Sequence, residues 1–141
     1  MKTVHSESRK PVAQEDGLGC AVASTAFVIN IPYQETLALF IDGKRRVQGI
    51  PNFYFPEIVE ILKKKGLDYS WKELTNKNQG LLEKDLAIVF CEQSSKLPFG
   101  HFLVRYQNKW MDPWLNLPEP QIVSGFRNDL PGKATYVAYP K

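Results

Sequence analysis

Cysteine and histidine are scarce in this chain of 141 residues, with two of each. Cys20 and Cys91 are too few for a disulfide framework, and their contexts differ, one following a glycine turn and the other ending an apolar run. Both read as thiols in a reducing compartment. Two distant cysteines, with His5 in a polar N-terminal stretch and His101 far from it, leave no zinc-type ligand spacing. Neither a metal nor another cofactor is expected. Gly17-x-Gly19 lacks the remainder of a phosphate-binding loop. No apolar run approaches the roughly 18 residues of a membrane span. Residues 1–10 are polar and carry no apolar stretch of a cleaved secretory signal, which points to the cytoplasm or to export without a cleaved leader. Asn-x-Ser/Thr sequons are absent. Lys and Arg number 18 against 15 Asp and Glu, a net charge of +3. Without a patterned basic patch, that excess gives no argument for nucleic acid.

What is present is enough for a packed domain: 43% of residues are hydrophobic and 23% charged, which excludes a disordered chain. Residues 1–9 read as a mobile tail and 10–141 as one domain. Cys20 opens a stretch, Cys-Ala-Val-Ala-Ser-Thr-Ala-Phe-Val-Ile, that is small and apolar all round, as a buried helix requires, and Asn30 and Pro32 stop it. A second short helix is expected at about Gln34–Ile41, closed by Gly43. Lys44, Arg45 and Arg46 read as a solvated loop. Ile58, Ile61 and Leu62 have the i, i+3, i+4 spacing of an amphipathic helix over Phe55–Lys65, capped by Gly66. The period then changes to two. Leu67–Leu74 is a strand candidate, and Leu86–Cys91 is a continuous apolar run suited to a central strand. His101–Tyr106 and Lys109–Pro113 form a hairpin about Gln107 and Asn108, and Ile122–Phe126 and Ala134–Tyr139 follow as strands. Helices first and strands second describe an α+β domain.

Four residues could carry chemistry together. A helix N-terminus offers unpaired N–H groups and the positive end of the helix dipole, which stabilise a thiolate, and Cys20 is placed there. By itself it reads as a small core residue. His101 begins a strand in which Phe102, Val104 and Tyr106 face one side and His101, Leu103 and Arg105 the other. Alone, it reads as a structural histidine. Asp112 lies on the returning strand, and an even-numbered turn puts it on the face of His101 as an opposite or diagonal neighbour. There it could accept from one imidazole nitrogen and leave the other for the thiol. Its plain alternative is an Asp-Pro turn. Gln14, six positions before Cys20, could pair its amide N–H with the Cys20 backbone N–H as a two-donor oxyanion hole. In isolation it is a solvent-exposed loop glutamine. Trp110 and Trp114 flank Asp112 and either shield it or pack the core.

Gln14 with Cys20 six positions later, the small apolar helix, Gly100-His101-Phe102-Leu103-Val104 and Asp112-Pro113 together resemble the papain-like peptidases that process double-glycine leaders in bacteriocin exporters, and their stand-alone relatives. The resemblance covers most of the chain in order, including the helix–glycine–strand passage from Phe55 to Tyr69. Gly19 and Ala21 stand where that family usually has Asp and Gly. The resemblance implies a papain-like fold of helices packed on an antiparallel sheet. It also implies an oxyanion glutamine at Gln14, a nucleophile at Cys20, a base at His101 and an orienting carboxylate at Asp112. A peptide or protein substrate follows. A peptidoglycan amidase, an isopeptidase or an acyl transferase would use the same groups, and a catalytically silent peptide-binding module would keep the shell alone.

Overall fold

The computed structural model describes residues 8–49 and 53–141. Among the described residues, four α-helices precede a six-stranded, wholly antiparallel sheet and pack on it, an α+β architecture. Helix α1 (Cys20–Ile29) is buried along nearly its whole length, from Ala21 to Val28, as its apolar circumference demands. It ends where Asn30 turns left-handed, φ 67°, and the N–H groups of Asn30 and Ile31 both return to the Ala26 carbonyl. Helices α2 (Tyr33–Leu37) and α3 (Gly43–Arg46) are short. Helix α4 (Phe55–Lys64) buries Phe55, Ile58, Ile61 and Leu62, starts with Pro56 in its first turn and is closed by the Leu67 N–H bonding back to Leu62. Among the described residues no helix is long and apolar enough to cross a membrane.

The strands are β1 (Tyr69–Glu73), β2 (Ile88–Cys91), β3 (His101–Tyr106), β4 (Lys109–Asp112), β5 (Gly125–Arg127) and β6 (Ala134–Pro140), arranged β1-β6-β2-β3-β4-β5. The apolar run of β2 is therefore central, flanked by β6 and β3. Alternation along β3 divides the molecule into two cores. Phe102, Val104 and Tyr106 face the cluster built with α1 and α4. Leu103 faces a smaller one with Val89, Cys91, Leu97 and Trp110. The β3–β4 connection is the expected two-residue turn, with Gln107 and Asn108 both at positive φ, 49° and 67°. Two such residues make the primed turn whose twist matches that of the flanking strands.

Several boundaries differ from expectation. Ile122 and Val123 are not in a strand. Asn116 draws the Val123 N–H to its side chain and the Leu115 N–H bonds to Val123, so pairing with β4 begins only at Gly125. The Lys44–Arg46 cluster is helical rather than a loop. Its Arg46 forms a 2.7 Å ion pair with Glu57 and lies 4.4 Å over the Phe53 ring. The second helix is shorter than expected, and a 3₁₀ turn at Gln79–Glu83 was not foreseen. Arg9, assigned to the tail, is anchored: its backbone N–H bonds the Tyr106 hydroxyl and its guanidinium the Phe27 and Val28 carbonyls. Residues 1–7 of that tail, with His5, lie outside the described residues.

Candidate active site

Helix α1, strands β3, β4 and β5 and the loop before α1 converge on one cleft of about 1710 Å³, lined by Gln14, Cys20, His101, Asp112 and Arg127 and by aromatic side chains. Cys20 is the first residue of α1, half-buried and in no disulfide. Its N–H belongs to the first turn, which has no partner within the helix. Gly19 precedes it because there is no room for a side chain. A Cβ would run into the Tyr33 hydroxyl, which donates to Asp16 Oδ2 at 2.9 Å. Tyr33 thus fills the space beside the cysteine that an aspartate would need.

Gly100 places His101. Its φ of 72° is left-handed, and a Cβ there would strike the Phe90 ring and approach the Cys91 carbonyl to 2.9 Å. The chain can thus turn tightly against β2 before His101 enters β3 opposite Cys91. His101 is 3% exposed and Asp112 1%. They meet through His101 Nε2 and Asp112 Oδ1 at 2.6 Å, the diagonal approach that a two-residue turn allows. Cys20 lies close enough to the imidazole to raise its pKa, and Nε2 is taken by the carboxylate.

Electrostatics follow from this wedging. Burial pulls the His101 pKa down, but hydrogen bonds to Asp112 and Cys20, and the negative charge of both, raise it to about 9. Burial would raise Asp112. The His101 bond and charge, the Trp114 backbone N–H and Arg127 together hold it below the ordinary carboxylate value. Burial pushes the other thiol, Cys91, up to about 12.

Gln14 is placed differently from the solvent-exposed loop glutamine it could have been. It is 2% exposed, and its backbone N–H bonds Pro113, which pins the loop before Cys20 to the end of β4. Its Nε2 donates to the Asp16 and Gly17 carbonyls at 2.9 and 3.1 Å, and its Oε1 is buried without a hydrogen-bond partner. Two carbonyl acceptors require the amide nitrogen on that side, so the orientation is set by chemistry. Gln14 shares the cleft with Cys20, but both of its N–H groups are occupied.

Sequence reasoning missed Arg127, whose Nη1 reaches Asp112 Oδ2 at 3.1 Å, and the Trp114 N–H on Asp112 Oδ1 at 2.9 Å. The expected last-but-one strand stopped one residue short of Arg127. The aromatic lining of the cleft, with Phe55 stacked on Trp71 at 6.4 Å, was also missed.

No protein-family model and no curated protein sequence matches the chain. Among solved structures, it is similar to a double glycine motif protease from an AMS/PCAT transporter, crystallised in complex with the leader peptide. The TM-score is 0.50 and the identity 12%, over 95% of this chain and 93% of the other. At that identity the likeness is one of fold, and it agrees with the α+β, papain-like architecture.

Proposed function

We propose that the chain is a thiol hydrolase that cleaves a peptide or amide bond through an acyl-enzyme on Cys20. The observation that carries this reading is His101, bonded through Nε2 to the buried Asp112 carboxylate and sharing one cleft with Cys20. The Cys20 sulfur attacks the carbonyl carbon as its S–H proton resides on His101. His101 then gives that proton to the departing amine, leaving a thioester. Water, losing a proton to His101, attacks the thioester, and the proton returns to the Cys20 sulfur as the acid departs. Asp112 keeps Nε2–H donated and steadies the imidazolium.

The Cys20 N–H is one oxyanion donor in this reading and Gln14 the second. To serve, Gln14 exchanges one of its two loop carbonyls for the oxyanion. Catalytic hydrogen bonds commonly tighten only with substrate bound. The substrate class is a peptide: the aromatic arm of the cleft suits apolar side chains, and the similar double glycine motif protease was crystallised with a leader peptide. An amidase or isopeptidase would run the same steps. A silent peptide-binding module is the second reading, favoured by the occupied Gln14 donors. Profiling a peptide library by mass spectrometry separates them. Cleavage that Cys20→Ala abolishes, while retaining binding, supports the hydrolase; equal binding with no cleavage by either protein supports the module.

A further inference from the structure

We propose that Arg127 is a positioning residue for the Asp112 carboxylate: by holding Oδ2 it keeps Oδ1 aimed at His101 Nε2. The proposal rests on the hydrolase reading of Cys20, His101 and Asp112. Strand β5 pairs antiparallel with β4, Asp112 opposite Gly125 and Trp110 opposite Arg127. Arg127 therefore shares a sheet face with Asp112 at a diagonal position, where a long side chain reaches it. The guanidinium is fixed from both ends, Nε donating to the Asp129 carbonyl at 2.7 Å and Nη1 to Asp112 Oδ2 at 3.1 Å.

The carboxylate thus accepts three hydrogen bonds with distinct assignments. His101 Nε2 and the Trp114 N–H converge on Oδ1, and Arg127 alone takes Oδ2. Because Asp112 is 1% exposed, water is poorly placed to replace Arg127. An unpartnered oxygen there carries its desolvation penalty, and the carboxylate gains by turning away from the imidazole to satisfy it. The Arg127 side chain is 31% exposed and lines the cleft, so contact with substrate is the rival role.

The test compares Arg127→Met, Arg127→Lys and Arg127→Gln with the unchanged protein. At pH 6, proton NMR should show a low-field His101 ring N–H, protected by its bond to Asp112. In Arg127→Met this resonance should move upfield or broaden through exchange. Turnover should fall about tenfold, the weight of one charge-assisted hydrogen bond, with KM nearly constant. Arg127→Lys should restore much of both readouts, and Arg127→Gln, which keeps a donor without the charge, should fall between. An unchanged low-field proton in Arg127→Met and Arg127→Gln, or a rise in KM at constant kcat, overturns the proposal. If Arg127→Met fails to fold, Arg127→Gln carries the same comparison. Should Cys20→Ala leave turnover intact, the hydrolase reading fails separately, since the NMR readout needs no substrate.

Discussion

Asp112 and Gln14 occupy the same cleft and make opposite demands on their hydrogen bonds. Every bond of Asp112 favours its charged form, so replacing one oxygen with an amide should be felt at the imidazole. Asp112→Asn should leave circular dichroism unchanged and lower kcat by about 10²–10⁴-fold, because the amide NH₂ favours the wrong imidazole tautomer. Gln14 should act late, on an oxygen that becomes negative only in the transition state. Gln14→Ala is expected to cost about 2.7–4 kcal/mol, or roughly a hundred- to a thousand-fold in kcat, with little change in KM. Steady-state kinetics on any cleaved peptide decides both. A rise in KM alone would make Gln14 a substrate contact. Removing Gln14 also frees the Asp16 and Gly17 carbonyls, so the Cys20 alkylation rate is measured in parallel. Cys20, His101 and Asp112 were legible because each follows from local rules, a helix start, a glycine before a strand and a two-residue turn. Arg127 was not, because its contact depends on a strand pairing formed only after the chain passes through residues 113–124.

At the scale of elements, the β3–β4 hairpin does the most for the site, since its turn sets the face on which Asp112 appears. Both central residues are left-handed, and neither is glycine. Replacing Gln107-Asn108 by Asn-Gly should relieve that conformational cost and stabilise the fold by about 0.5–1 kcal/mol, read as a higher Tm with unaltered kcat. A lower Tm would show that Gln107 contributes more through its N–H to Asp85 Oδ1, 2.9 Å away, than its backbone costs. Helices α1 and α4 were readable because one is apolar throughout and the other has a clean apolar stripe. Ile122 and Val123 misled because β-branched residues favour strands, whereas the Asn116 side chain offers Val123 a competing partner.

For the whole molecule, the buried His101–Asp112 pair ties stability to pH. The raised His101 pKa, about 9, contributes stability fully present below its ordinary value near 6.5 and lost as pH rises through 9. The depressed Asp112 pKa contributes stability present above the ordinary carboxylate value and lost as pH falls through the lower, folded one. Tm should therefore plateau in mildly acidic solution and decline toward pH 9. Cys20→Ala removes one of the contacts that raise His101, so the alkaline decline should move to lower pH. Identical Tm profiles for the two proteins would mean that Cys20 and His101 are not coupled.

The central claim is that His101 activates Cys20, and the two cysteines make an internal comparison. Cys20 opens a helix in the cleft, whereas Cys91 is buried and its thiol is pushed up to about 12. Iodoacetamide modification at pH 7, followed site by site with peptide mass spectrometry, should label Cys20 rapidly and Cys91 hardly at all, and His101→Ala should slow the labelling of Cys20. Comparable rates at both cysteines, or a Cys20 rate indifferent to His101→Ala, would contradict it.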